Sequence, residues 1–294
     1  MKKLLILIML LSVLLSTGCS YTPQSYEIVA TTLPIYDFTV RLCDGTGLSV
    51  GRLITENVSC LHDYTLQVKQ MQMIEQADVV LISGLDLESF MEDALLGAAT
   101  ILDASENVHS HQGEHHHEED TLSEHTHNHE TDPHIWLSPE NATVMAENLA
   151  YGLAEAYPAY SDLFAQNLTE LENDLQQLQE YGEMQLANLQ CHDLITFHDG
   201  FSYFAECFGL TILEAVEEES GSEASALEIV HLTELVYRHN LPAIFTETNG
   251  STACAGIISR ETGVPVYTLD MGMAGDSYFD AMYHNIDTVK EALG

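Results

Sequence analysis

Basic side chains are nearly missing from this chain: 8 Lys plus Arg stand against 46 Asp plus Glu, a formal charge of −38 at pH 7. A surface of that sign excludes binding to nucleic acid through its phosphates, which needs a basic face. It concentrates cations instead, and it equally suits solubility or a salty habitat. Cysteine is sparse, and no Cys-x-x-Cys pair occurs among the 6, so zinc-ribbon and dithiol redox motifs are excluded. Beyond the N-terminus no apolar stretch is long enough for a transmembrane helix. Apolar content is otherwise ordinary, so 294 residues support one large domain or two.

The N-terminus is the exception. Lys2 and Lys3 precede an apolar run from Leu4 to Leu15, too short to span a bilayer and typical of a targeting segment. It ends Leu15-Ser16-Thr17-Gly18-Cys19-Ser20. This is similar to the lipobox of bacterial lipoproteins, where cleavage before the cysteine is followed by its acylation. Leu15 lies one place further from Cys19 than in the commonest pattern, while Ser16 to Gly18 are small. The alternative is an ordinary secretory signal with a chance cysteine. Acyl chains on Cys19 would anchor the protein to the extracytoplasmic face of a bacterial membrane. The expected division is a signal over residues 1–18 and a tether over 19–25. Five cysteines then remain, Cys43, Cys60, Cys191, Cys207 and Cys254. An odd number argues against a fully paired framework; one disulfide stays open, and buried thiols suit most of them.

Downstream, apolar runs bounded by turn residues alternate with helical patterns. Ile28 to Thr32, Leu48 to Ile54, Ala77 to Gly84 and Thr100 to Leu102 read as strands. Helices are expected after Pro34, over Asp63 to Gln76 and over Leu87 to Leu96. A long helical region runs from Ser138 to about Leu189, interrupted near Pro158, with Leu168, Leu171, Leu175 and Leu178 at core spacing. Strands resume at Leu194 to Phe197, Ala243 to Thr246 and Val266 to Leu269. The fold class is α/β: two lobes with parallel sheets flanked by helices, joined by one long helix. The expected bounds are 26–160 for the N-terminal lobe, 161–189 for the linking helix and 190–294 for the C-terminal lobe.

Within the first lobe lies a tract of eight histidines: His109, His111, His115, His116, His117, His125, His127 and His129. Glu114, Glu118, Glu119, Asp120 and Glu124 are interleaved with them. No packed core accommodates such a run, and imidazole is the commonest ligand of borderline transition metals. An expression tag is the bland reading, but tags sit at termini and are usually uninterrupted. The tract, taken as 109–130, is an accessory metal loop.

Four further residues stand where ligands of such sheets collect, beyond or near strand ends: His62, His134, His198 and Asp270. Singly each has a bland reading, His62 as a capping histidine and His134 as an outlier of the tract. Their surroundings are more specific. Ala30-Thr31-Thr32-Leu33-Pro34-Ile35-Tyr36-Asp37-Phe38, Gln76 to Glu88, Asp132-Pro133-His134-Ile135-Trp136-Leu137-Ser138-Pro139, Phe197-His198-Asp199-Gly200-Phe201 and Tyr267-Thr268-Leu269-Asp270 occur in order along the mature chain. Together they resemble the metal-binding solute receptors of ABC transporters, the zinc and manganese group. The segment following His62, Asp63-Tyr64-Thr65, departs from that family's aromatic-Glu-Pro, and Ser138 replaces a common aspartate.

The resemblance implies two similar lobes, a rigid linking helix and a metal cleft between the lobes. It implies that His62 and His134 from one lobe and His198 and Asp270 from the other hold the metal. Glu247 matches a family carboxylate near the cleft and is a candidate to support a ligand from behind. Three imidazoles and one carboxylate suit tetrahedral zinc. Manganese prefers more oxygen, and in the family a glutamate at the position of His198 accompanies it. Zn2+ is therefore expected as the bound ligand, with Mn2+ disfavoured. The implied partners are an ABC permease and, through it, its ATPase; the chain is expected to be a monomer and not an enzyme, since four protein ligands leave no place for an activated water. The rivals are a manganese or iron receptor of the same family, a metal-dependent hydrolase, and a surface adhesin or zinc buffer.

Overall fold

The computed structural model describes residues 25–58, 61, 64–110, 131–216 and 225–294. They form two four-stranded sheets, each wholly parallel. The first contains β1 (Ile28–Ala30), β2 (Val50–Arg52), β3 (Val79–Ile82) and β4 (Ile101–Asp103) in the order β2-β1-β3-β4. The second contains β5 (Asp193–Thr196), β6 (Thr211–Ala215), β7 (Ile244–Glu247) and β8 (Val266–Leu269) in the order β6-β5-β7-β8. The two lobes thus repeat one topology. Parallel strands must be covered on both faces, which is why Ile28-Val29-Ala30 and Val79-Val80-Leu81 are apolar throughout and fully buried.

Helix α1 (Leu33–Leu42) starts with Pro34 in its first turn, where a missing N–H costs nothing, and buries Leu33, Ile35, Phe38 and Leu42. Helix α2 (Val68–Gln76) is shorter than the periodicity predicts. It begins at Val68 rather than Asp63, because the Gln70 side chain accepts from the Gln67 backbone N–H at 2.8 Å and fixes the start there. Gln70 also donates to the Leu53 carbonyl at 2.8 Å, tying that start to the sheet. The single helix expected over Leu87 to Leu96 is instead a 3-10 turn, Ser89–Met91, followed by one short turn, α3 (Glu92–Leu95). The chain leaves β3 through Gly84, Leu85 and Asp86, all at positive φ of 88°, 51° and 63°. That left-handed turn is held by the buried Glu88 carboxylate, which accepts from Thr31 Oγ1 at 2.6 Å, Ser83 N at 2.8 Å and Gly84 N at 3.1 Å. Burial pushes the Glu88 carboxyl upward against the pull of those three donors.

The long helical region breaks at a 3-10 turn, Pro158–Tyr160, as the proline dictates. Before it runs α4 (Pro139–Ala156), capped by Ser138 Oγ; after it runs α5 (Ser161–Leu186), 26 residues or about 39 Å. Leu171, Leu175 and Leu178 of α5 are buried as their spacing predicts. The remaining helices are α6 (Ser202–Cys207), α7 (Ala226–His239), α8 (Ala253–Thr262) and α9 (Tyr278–Leu293). Helix α5 packs against α1 and α9, one from each lobe. Among the described residues no helix is long and apolar enough to cross a membrane. Cys191 and Cys207 are not joined: Cys207 Sγ donates to Gln179 Oε1 at 3.1 Å. Burial pushes the Cys207 thiol up to about 11 and the Cys43 thiol up to about 12, so both are inert neutral groups near pH 7.

The lobes meet at a buried seam. Trp136, fully buried, donates its indole N–H to the Met271 carbonyl at 2.7 Å. Tyr278 Oη donates to the Trp136 carbonyl at 2.8 Å, and Asp37 Oδ2 accepts from the Tyr278 backbone N–H at 2.9 Å. Phe38 meets the Tyr278 ring edge-on, centroids 4.9 Å apart. Arg41 lies over Phe279 at 4.2 Å and reaches Asp174 of α5 at 2.7 Å. Replacing Tyr278 by Phe leaves the buried Trp136 carbonyl without this donor. The expected loss is about 1–3 kcal/mol of unfolding free energy in a denaturant titration. An unchanged midpoint would show that the seam does not carry the stability assigned to it.

Candidate metal centre

Second-lobe side chains converge because adjacent strands end together. His198 follows β5 by two residues, Glu247 ends β7, and Asp270 follows β8 directly. In parallel sheets such carboxyl ends form the ligand-binding rim. The first lobe contributes His134, which enters a 3-10 turn, Ile135–Leu137, anchored by Trp136 in the seam.

His134 and His198 face each other. Their Nε2 atoms are 3.5 Å apart, and the rings are nearly perpendicular, with centroids 5.2 Å apart. Each imidazole has a carboxylate behind it. His134 Nδ1 donates to Asp132 Oδ1 at 2.8 Å, and Glu247 Oε2 lies 3.6 Å from His198 Nδ1. A carboxylate can only accept, so the proton of neutral His134 sits on Nδ1 and its Nε2 presents a lone pair toward His198. Burial drives the Asp132 carboxyl upward, but the hydrogen bonds and charge attraction from His134, with Ser202, outweigh it and hold the group below its ordinary range.

Gly200 is what lets the rings approach. A Cβ there would lie 2.3 Å from Met271 Cε and 2.9 Å from both His134 Nδ1 and His198 Cδ2. Asp270 is held from three sides: its backbone N–H and carbonyl bond the Asn285 amide, both at 2.7 Å, and its Oδ1 accepts from Gly272 N at 2.8 Å. It lines an open depression with Asp276, Asp280 and His284.

The structure therefore brings His134 and His198 together, with Glu247 behind one of them and Asp270 at the neighbouring strand end. His62 lies outside the described residues. Among the described residues alone, no group of three or more His, Cys, Asp or Glu side chains is arranged to hold a metal ion. Cys19 and the tract histidines His111, His115, His116, His117, His125, His127 and His129 also lie outside. His109 is described: it is exposed, with Nε2 3.6 Å from Glu206 Oε2. Sequence reasoning passed over Asp132, Ser202, Gly200 and Trp136 as parts of the site. The Asp132-Pro133-His134 spacing was the available signal, since an aspartate two residues before a histidine can accept from both its backbone and its ring.

A family model described as zinc-uptake complex component A, periplasmic (ZnuA), matches residues 28–292. A zinc-binding protein AdcA of Streptococcus pyogenes is 28% identical over 316 residues, covering 98% of this chain and 61% of the relative. A zinc-binding lipoprotein AdcA of Streptococcus pneumoniae is 28% identical over 315 residues, covering 99% of this chain and 61% of the relative. The chain thus spans 61% of the length of these curated relatives. A crystal structure of ZnuA superposes with a TM-score of 0.80 at 25% identity, over 92% of this chain and 100% of that one. With a match over nearly the whole described chain and the shared two-lobed fold, the chain belongs to the ZnuA family.

Proposed function

We propose that this protein is an extracytoplasmic receptor that captures Zn2+ and delivers it to an ABC permease, and through that to the permease's ATPase, for import. The observation that carries this reading is the 3.5 Å between the two Nε2 atoms. Two imidazoles on a tetrahedral zinc with bonds of about 2.0–2.1 Å place their nitrogens about 3.4 Å apart, whereas cis positions of an octahedron at that bond length lie about 2.9 Å apart. His134 turns the lone pair of its Nε2 toward His198, and at this separation a cation between the rings is within bonding reach of both nitrogens. His62 and Asp270 complete the ligand set, and Glu247 supports His198 from behind. Relatives named as zinc-binding support the choice of metal.

In this reading residues 26–160 and 190–294 act as the two lobes, connected by the helical segment 161–189. Lipidation at Cys19 anchors the chain, as the lipoprotein name of the pneumococcal relative supports. The receptor works as a monomer. Four protein ligands leave no position for an activated water, so the site binds and releases rather than hydrolyses.

Metal analysis of protein purified without chelator is expected to find zinc; a parent carrying manganese would overturn the metal assignment. His198→Ala is expected to weaken Zn2+ binding by at least about 100-fold in a competition titration, since it removes a ligand outright. It should also fail to restore zinc-limited growth to a strain lacking the protein. His198→Glu should shift the preference toward Mn2+. Deleting 109–130 is expected to lower zinc stoichiometry while one tight site persists; an unchanged stoichiometry by calorimetry would remove the accessory role of the tract.

A further inference from the structure

Asp132 makes four hydrogen bonds, and they divide between the two lobes. Toward its own lobe, one oxygen, Oδ1, accepts from both the His134 backbone N–H at 3.0 Å and His134 Nδ1 at 2.8 Å. Toward the other lobe, Oδ2 accepts from Ser202 Oγ at 2.8 Å, and the Asp132 carbonyl accepts from the Tyr203 hydroxyl at 2.8 Å. Ser202 and Tyr203 open helix α6, four and five residues after His198. We infer that Asp132 is a positioning residue that fixes the His134 ring and couples it to the segment carrying His198.

Two bonds to one oxygen hold both the backbone and the imidazole of His134, so the ring cannot rotate without breaking one of them. The pair is buried, with the His134 and Asp132 side chains 9% and 11% exposed. Hydrogen bonds there are stronger than the same bonds in water, and a surface ion pair of this kind would contribute little. The coupling follows from the second oxygen. Separating the lobes breaks the Ser202 and Tyr203 bonds, leaves Asp132 held only through His134, and loosens the ring that it orients. Seating of the lobes and the readiness of His134 to bind are thereby one event. Asp132 touches no metal in this scheme; it acts through His134. The inference rests on the receptor reading for its consequence, metal affinity, but not for its cause, the orientation of the ring.

The test is Asp132→Asn, with Ser202→Ala and Tyr203→Phe as milder variants. Two readouts separate positioning from general stability. In metal-free protein with 15N-labelled histidine, long-range 1H–15N NMR is expected to show His134 protonated on Nδ1 in the parent and a mixture of tautomers in Asp132→Asn. In a competition titration, Zn2+ affinity is expected to fall about 10–100-fold for Asp132→Asn and less for the other two, with faster dissociation in each. A folded Asp132→Asn with the parent's tautomer, or with unchanged Zn2+ affinity, overturns the proposal. If Asp132→Asn does not fold, unchanged Zn2+ dissociation in both Ser202→Ala and Tyr203→Phe overturns it equally. A parent with the Nδ1 tautomer, lost in the variant, but without tight Zn2+ binding, supports the positioning and sinks the receptor reading instead.

Discussion

The structure depends on one buried aromatic contact, the Trp136 indole seated between the lobes. Its N–H reaches the Met271 carbonyl and its own carbonyl receives the Tyr278 hydroxyl, so one residue is tied to the end of β8 and to the start of α9. Those two anchors flank candidate ligands. His134 is two positions before Trp136, and Asp270 is immediately before Met271. A shift of the indole would move a first-lobe imidazole and a second-lobe carboxylate together. Because Trp136 is fully buried and both bonds are short, neither lobe can slide without exposing an unpaired polar group, which is costly in a packed interior. Helix α5 spans the same junction from outside, bearing on α1 and α9. The seam therefore limits the motion available to the site.

Within that frame the chemistry needs few parts. Two imidazoles are set nitrogen to nitrogen, a carboxylate stands behind each, and a glycine leaves room for them. The carboxylates do two things. Asp132 fixes the His134 proton on Nδ1, and both add negative charge that favours a cation at the centre. A formal charge of −38 works at longer range in the same direction, drawing cations to a surface with few competing basic groups.

Much of this was legible in the sequence. Apolar runs between turn residues gave the parallel strands of the first sheet, and Pro158 marked the break between α4 and α5. His198 and Asp270 could be placed at strand ends because strand and residue are adjacent in sequence. Other features were not legible, for identifiable reasons. The turn at Gly84, Leu85 and Asp86 depends on Glu88 reaching back to Thr31 across β1 and β3, a contact no periodicity encodes. Helix α2 starts late because of a local glutamine cap, which apolar spacing does not register. Strand β6, Thr-Ile-Leu-Glu-Ala, is only half-buried at the sheet edge and lacks the continuous apolar run that marks its neighbours. Asp132 and Ser202 are 70 positions apart and meet only because the lobes do. Glu247 was expected and Asp132 was signalled by its spacing to His134, but the Ser202 and Tyr203 bonds were hidden because they are made across the seam.

The proposed receptor holds one Zn2+ between His134 and His198. X-ray absorption spectroscopy on protein loaded with one equivalent of Zn2+ tests it most directly. The expected result is a four-coordinate shell with at least two imidazole nitrogens at about 2.0–2.1 Å, no sulfur, and loss of imidazole scattering in His134→Ala. A sulfur shell, six oxygen ligands, or a spectrum unchanged by His134→Ala would contradict it.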